Sequence, residues 1–302
     1  MPSTKDLKKR IGSVVNTRQT TKAMKMVSAA KLRRAQDAIL SNRPFAKQVG
    51  SLVEHMLGVP EITLTSNLLD RDGTTAAMEG KRLLLIIVTS DRGLCAGFNA
   101  NVIKTAVRWM KENSKHYSEI TLSTLGKRGN DFFRSRKQYK LGEYFDQYGG
   151  KVTFKKASDL AKHLVGGFND GQYDEVKIIY NEFKNAVLQT PVVEDYLPLR
   201  PKPAEKATES SETMGTTIVK PNADEVLAAL LQKHFSIQIF RIMLESQAGE
   251  HGARMSAMEN ATKNASEMIK KLTIQYNKQR QAGITKELLE IIAGSESAKA
   301  QA

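Results

Sequence analysis

The sequence contains little of what several protein classes require. Its 302 residues include one cysteine, Cys95, which excludes a disulfide scaffold and a zinc site built from cysteines. The longest uninterrupted apolar segment, Leu83–Val88, is far too short to cross a bilayer as a helix. Residues 1–10 lack the apolar core of a secretory signal. These absences predict a soluble protein of a reducing compartment.

Acidic residues are outnumbered, and the imbalance is uneven. The formal net charge is +14, and residues 1–57, with twelve Lys and Arg against three Asp and Glu, carry +9 of it. A segment this basic is expected to bind nucleic acid, anionic lipid or an acidic protein surface. Residues 1–44 contain no aromatic side chain that could stack on bases. An acidic protein surface is therefore the better interpretation, and no nucleic-acid partner is expected.

Proline is absent from residues 3–43 and 222–302. Because proline interrupts a helix, both segments are predicted to be helical, with Ser3 or Thr4 as the first cap and a kink at Pro44. Each segment carries an apolar stripe too narrow to be buried alone. The stripes include Leu7, Ile11, Val14, Met24 and Val27, and then Val226, Leu230, Ile237, Phe240, Met258, Ala265 and Leu272. Two such helices at opposite ends of the chain predict an antiparallel coiled coil.

The residues between these helices alternate between strand and helix patterns. The predicted strands are Leu83–Val88, Ile120–Leu125, Glu175–Tyr180 and Ala186–Tyr196, and a helix capped by Ser158 is predicted to end near Phe168. This alternation, with a continuous apolar first strand, favours a largely parallel sheet covered by helices. We therefore predict an α/β fold with five parts: a helix at 1–60, a linker at 61–80, a Rossmann-like α/β domain at 81–199, a flexible linker at 200–221 and a helix at 222–302.

The segment Thr89–Asn99 follows the first strand, where α/β folds bind nucleotide phosphates. Its two glycines, Gly93 and Gly97, match neither the dinucleotide nor the P-loop spacing. A structural turn is therefore the favoured interpretation, and nucleotide binding is the alternative. Cys95 has no histidine near it in sequence and is expected to be an inert, packed thiol. We predict no catalytic residue, no cofactor and no metal site.

Four blocks of the sequence resemble the gamma subunit of F-type ATP synthase. They are Ile11–Ala30, which contains Thr21-Lys-Ala-Met-Lys-Met-Val27, then Ser90-Asp-Arg-Gly-Leu-Cys95, then Ala253-Arg-Met-Ser-Ala-Met258, and finally Tyr276–Ile291. The resemblance spans nearly the whole chain. It departs from the family pattern at Gly294-Ser295, where the family tends to have Gly-Ala, and in the length and polarity of residues 200–221.

The resemblance implies a non-catalytic rotor subunit. The terminal helices would enter a ring of alternating alpha and beta subunits, and the α/β domain would lie beside the epsilon subunit and the membrane-embedded c-ring. Proton flow would turn this shaft, which would drive the catalytic beta subunits through their conformational cycle and help to regulate ATPase activity and proton flow. Such a subunit is a peripheral protein on the cytoplasmic face of the bacterial inner membrane, with no segment inserted in it.

The resemblance also assigns partner contacts. Met24 and Lys25 match positions where the N-terminal helix faces acidic loops of the beta subunits. On the C-terminal helix, the positions at or near the contact with the ring are Arg254, Arg280, Gln281 and Thr285.

The resemblance also bears on two other features of the chain. With Cys95 as the lone cysteine, the regulatory dithiol of the plant form is not expected, and because the family blocks begin near residue 1, neither is a transit peptide. Two other functions stay open on the residues alone. One is a basic coiled-coil nucleic-acid binder, and the other is a nucleotide-dependent α/β enzyme with helical arms.

Overall fold

The computed structural model describes residues 3–57, 68–70, 80–146, 152–186, 188–200 and 223–300. The chain forms two units, one of residues 1–28 with 255–302 and the other of residues 29–254. The predicted linker at 200–221 lies outside the described residues except for Arg200. The predicted linker at 61–80 also lies outside them, except for residues 68–70 and 80.

Helices and strands alternate between two long terminal helices. In chain order the elements are α1 (Thr4–Leu57), β1 (Lys81–Val88), α2 (Phe98–Asn113), β2 (Tyr117–Leu125), α3 (Lys127–Arg134), β3 (Lys140–Phe145), α4 (Phe154–Asn169), β4 (Glu175–Phe183), β5 (Gln189–Leu197) and α5 (Ala223–Ala300). As predicted, Ser3 caps α1, because its Oγ accepts a hydrogen bond from the Asp6 N–H at 3.2 Å. Pro44 lies inside α1 without ending it.

The five strands form one sheet in the order β3-β2-β1-β4-β5. The first four in this order run parallel, and β5 pairs antiparallel with β4. The central strand, β1, is apolar from Leu83 to Val88 because both of its faces are covered there. One face contributes Leu84, Ile86 and Val88 to one core, and the other contributes Leu83, Leu85 and Ile87 to a second core.

Each face of the sheet is buried by helices of the same unit. The first core contains α4 together with the parts of α1 and α5 within residues 29–254, represented by Val53 and Phe235. The second core contains α2 and α3, represented by Val102 and Phe133. The predicted α/β fold with long terminal helices is therefore confirmed.

Three details of the predicted secondary structure differ from the structure. Strand β3 was not predicted, because four of its six residues are exposed and no apolar alternation marks it. The last strand is Gln189–Leu197 rather than Ala186–Tyr196. The prediction that Ser158 caps α4 is wrong, because the Oγ1 of Thr153 accepts from the Lys156 N–H at 3.4 Å and the helix begins at Phe154.

Residues 68–70, which fall in a predicted linker, are fixed to the end of the sheet. The Asp70 N–H donates to the Leu199 carbonyl at 3.0 Å. The Arg200 guanidinium donates to Asp70 at 3.3 Å and to Glu175 at 3.1 Å, and both carboxylates are buried. A buried carboxylate needs such a partner, because leaving a charge unpaired away from water is costly.

Candidate functional site

In the unit of residues 1–28 with 255–302, two polar pairs join α1 to α5. The Oγ1 atoms of Thr21 and Thr262 lie 2.8 Å apart, and the Lys25 ammonium donates to the Glu259 carboxylate at 2.7 Å. The residue numbers of the two pairs add to 283 and 284. One helix therefore advances as the other recedes, so the helices pair antiparallel, as predicted.

The Thr21–Thr262 pair is a polar contact within the seam between the helices. Thr21, Ser28, Met258 and Ala265 are all buried in this seam. The Thr21 hydroxyl lies 3.1 Å from the Arg18 carbonyl, and the Thr262 hydroxyl lies 2.7 Å from the Met258 carbonyl. One hydroxyl can thus donate to the other while the second donates to its own helix. A slip of the helices would leave these hydroxyls facing apolar groups, so the pair favours a single register.

The residues of this unit that were predicted to contact partners differ in their exposure to solvent. Arg280, Gln281 and Thr285 are exposed, and the Thr285 hydroxyl donates to the Gln281 carbonyl of its own helix at 3.0 Å. Met24 and Lys25 are half-buried. The Lys25 side chain is 37% exposed even while paired with Glu259. It therefore has an intrachain partner that the sequence did not suggest, and it retains some exposure.

Two kinds of exposed surface remain on these helices. Helix α1 carries exposed basic residues, among them Lys5, Lys8, Lys9, Arg10 and Lys22. Near its end, helix α5 carries five apolar side chains that are 50% or more exposed: Ile284, Leu288, Leu289, Ile291 and Ile292. Four of them, Ile284, Leu288, Ile291 and Ile292, are separated by four, three and one residues and therefore lie on one face of the helix. A contiguous exposed apolar surface of this kind is typical of an interaction site.

In the unit of residues 29–254, the carboxyl ends of β1 and β2 lie where a nucleotide would bind in many α/β folds. The chain itself occupies the amino-terminal turn of α3. An Asp91 carboxylate oxygen accepts from the Lys127 N–H at 2.9 Å, and the Thr89 hydroxyl accepts from the Gly129 N–H at 2.9 Å. These amides are therefore not free to bind a phosphate.

Gly126 allows the two strand ends to come this close. Its φ is +105°, and a Cβ added there would lie 2.1 Å from the Thr89 carbonyl oxygen. Any other residue would have to push the backbone apart.

Helix α5 packs into the crevice beside β1. A Cβ at Gly249 would lie 3.0 Å from the Phe98 ring, and one at Gly252 would lie 3.0 Å from the Ala186 carbonyl oxygen. These glycines therefore permit close packing of the helix. A cavity of about 30 Å³ lies between the strand ends and α5, which is room for about one water molecule. The geometry favours a structural turn over a nucleotide site.

Arg254 is buried beside this turn, with its donors directed at its own chain. Its Nε donates to the Gly93 carbonyl at 3.3 Å, and its Nη2 donates to the Arg92 and Gly93 carbonyls at 3.2 Å. Its Nη1 donates to the Glu250 carboxylate at 2.6 Å. Burial, helped by the charges of Arg254 and Lys31, lowers the pKa of His251 to about 4. Burial also raises the pKa of Glu250, against the opposing effect of Arg254.

Cys95 is buried within hydrogen-bond distance of neighbouring polar groups. The Asn99 side-chain amide donates to its Sγ at 3.3 Å, and the Ser90 hydroxyl lies 3.7 Å away. The thiol also packs with Phe98 and Ala253. Among the residues that the structure describes, no group of three His, Cys, Asp or Glu could hold a metal ion. None of the described helices is long and apolar enough to span a membrane.

Comparison with known proteins decides between the open interpretations. A family model described as ATP synthase matches residues 3–298. The ATP synthase gamma chain of Geotalea uraniireducens is 46% identical over 301 residues, which cover 99% of this chain and 100% of the relative. The chain belongs to the ATP synthase gamma chain family. The gamma chain of Trichlorobacter lovleyi is 45% identical over 299 residues, with the same coverage. The chain is thus a subunit of a larger enzyme.

Two solved structures have the fold of this chain. One is the central stalk and c-ring of the Tetrahymena thermophila mitochondrial ATP synthase, which is 25% identical with a TM-score of 0.59, covering 80% of this chain and 99% of that one. The other is the Euglena gracilis OSCP/F1/c-ring structure in rotational state 3, which is 20% identical with a TM-score of 0.65, covering 98% and 95%. At that identity the second supports the fold alone.

Several residues that organise this chain were not predicted from the sequence. Glu259 and Thr262, the partners of Lys25 and Thr21, are more than 230 positions away in the sequence. The hydroxyl pair could have been anticipated, because the stripe of α1 turns polar between Asn16 and Lys22. The contact of Arg254 with the carbonyls of residues 92 and 93 was not predicted, because a backbone carbonyl carries no sequence signal.

Proposed function

We propose that this chain is the rotating central shaft of a proton-translocating F-type ATP synthase. In this role it passes rotation of the c-ring to a ring of alpha and beta subunits, and the beta subunits perform the chemistry of ATP synthesis and hydrolysis. The chain itself contributes no catalytic residue and helps to regulate ATPase activity and proton flow. The observation that carries the proposal is the match to gamma chains over 99% of the sequence.

The antiparallel helix pair supports the part of the proposal that concerns the ring. The basic surface of α1 is complementary in charge to acidic loops of the beta subunits. The exposed apolar residues of α5 would pack against an apolar lining of the ring of alpha and beta subunits. Within this surface we assign contacts to Met24 and Lys25 on α1 and to Arg280, Gln281 and Thr285 on α5. Arg254 is also assigned to the ring, and its proposed effect there is indirect, because its side chain is buried and bonded to Glu250 of its own helix.

The epsilon subunit and the c-ring are the proposed partners of the α/β unit. The chain then lies on the cytoplasmic face of the bacterial inner membrane as a peripheral subunit. The Tetrahymena structure is of a central stalk together with a c-ring, which supports this arrangement.

The proposal is tested by assembling the ATP synthase with and without this chain in sealed vesicles. With the chain present, ATP addition should acidify the vesicle interior, and an uncoupler should abolish the signal. Vesicles that lack the chain should not pump. ATP-driven pumping of equal extent without the chain would contradict the proposed coupling role, as would failure of the chain to co-purify with the larger alpha and beta subunits.

A further inference from the structure

We propose that Arg254 is a positioning residue that fixes helix α5 to the turn after β1, so that rotation passes between the sheet and the helix at this point. The inference rests on the proposed rotor function and names one contact within the chain that transmits the rotation. Arg254 is the last residue of the unit that contains the sheet. It is also the residue whose guanidinium joins α5 directly to the backbone of the turn at residues 92–93.

The hydrogen bonds between the Arg254 guanidinium and the turn are directional as well as attractive. Its planar fork directs two nitrogens at two consecutive carbonyls, while the third nitrogen is held by Glu250 one turn earlier on α5. The Arg254 and Glu250 side chains are only 9% and 17% exposed, so water competes weakly for these bonds. A charged donor on a backbone carbonyl is among the stronger hydrogen bonds.

The turn that Arg254 holds is itself shaped for one conformation. Leu94 and Ala96 have φ values of 62° and 49°, which are uncommon for residues with side chains. Its start is fixed by Asn99, whose side-chain oxygen accepts from the Ser90 N–H at 2.9 Å. Because this backbone conformation is sterically disfavoured, it persists only where surrounding contacts hold it, and the hydrogen bonds of Arg254 and Asn99 supply such contacts.

Apolar contacts also join α5 to this turn. Cys95, Phe98 and Ala253 form a small buried cluster. Such contacts have no preferred direction. The hydrogen bonds of Arg254 add directed contacts at this turn, as those of Arg241 with Tyr180 and Glu194 do at the sheet.

The test compares four complexes in vesicles: wild type, Arg254→Met, Arg254→Lys and the control Arg108→Met. Methionine keeps most of the apolar stem, whereas lysine keeps the charge and loses the fork. Arg108 is exposed on α2 and matches the chemical change. The measurements are protons pumped per ATP hydrolysed, and hydrogen exchange of the amides at residues 92–96 within the intact complex.

We expect Arg254→Met to retain ATP hydrolysis and to lose pumping, with amide exchange in the turn rising about tenfold, as expected for loss of a charged hydrogen bond. For Arg254→Lys, the protons pumped per ATP and the amide exchange in the turn should lie between the values of Arg254→Met and wild type. For Arg108→Met, both values should match wild type.

If Arg254 has only a structural role, Arg254→Met should raise amide exchange in the turn, or lower hydrolysis and pumping together, while the number of protons pumped per ATP stays at the wild-type value. An unchanged number of protons per ATP in Arg254→Met overturns the proposal. If Arg254→Met does not assemble, the same unchanged number in Arg254→Lys overturns it. Absence of pumping by the wild-type complex would instead contradict the rotor function.

Discussion

Reversing the charge of Lys25 separates its intrachain role from its proposed contact with the beta subunits. Lys25 and Glu259 are 37% and 58% exposed, so solvent screens their attraction and the pair contributes about 0–1 kcal/mol to stability. Lys25→Glu places two carboxylates opposite each other and should destabilise the helix pair by about the same amount. The double variant Lys25→Glu/Glu259→Lys restores the pair in reverse and should regain stability.

The two variants should differ in stability and agree in coupling. If Lys25 faces acidic loops of the beta subunits, both variants present a carboxylate to those loops, and both should pump fewer protons per ATP hydrolysed. Lys25→Gln removes the charge without repulsion and should leave assembly intact. The assays are thermal unfolding of the full chain and ATP-driven pumping at low salt, where surface charges are least screened. Full recovery of coupling in the double variant would refute the proposed contact and leave Glu259 as the relevant partner.

Three further predictions concern the packing of the chain. Gly126→Ala should lower the free energy of unfolding by several kcal/mol, because its Cβ would lie 2.1 Å from the Thr89 oxygen; urea unfolding measures this, and a change of about 0.5 kcal/mol or less would show the predicted clash to be wrong. Thr262→Val should cost about 1 kcal/mol in thermal unfolding, whereas Thr273→Val, which removes an exposed hydroxyl, should cost less; equal losses would argue against the seam pair. The pKa of His251 is lowered to about 4, so the unfolded chain takes up a proton near pH 6.5 that the folded chain does not. The contribution of this group to the free energy of unfolding is therefore fully present above pH 6.5 and is lost as the pH falls toward 4. In urea unfolding, His251→Gln should reduce the dependence of stability on pH in this range, and an unchanged dependence would contradict the argument.

The parts of the fold that were predicted correctly have strong local signals. Residues 3–43 and 222–302 lack proline, and the long helices Thr4–Leu57 and Ala223–Ala300 lie where this absence predicted them. The segment Leu83–Val88 is a central strand, because an unbroken apolar run of this length fits a strand buried on both faces. Strand β3 has no such signal, since it lies at the edge of the sheet and is mostly exposed.

The contacts of the candidate site depend on tertiary structure, which local patterns do not encode. Nothing near Lys25 points to Glu259, because their proximity depends on the register of two helices from opposite ends of the chain. The burial of Arg254 against Gly93 could not be predicted either, because a backbone carbonyl carries no sequence signature. The assignment of Met24, Lys25, Arg254, Arg280, Gln281 and Thr285 to the ring remains a prediction from family resemblance.

Rotation of the chain inside the assembled enzyme is the most direct test of the proposed function. A cysteine at the exposed Lys111 position of α2, in a Cys95→Ser background, can carry a bead while the alpha and beta ring is fixed to a surface. We predict that the bead turns in one direction in steps when ATP is added, and that it stops when ATP is removed. A bead that stays still while the same complexes hydrolyse ATP at the normal rate would contradict the claim that this chain is the rotating shaft.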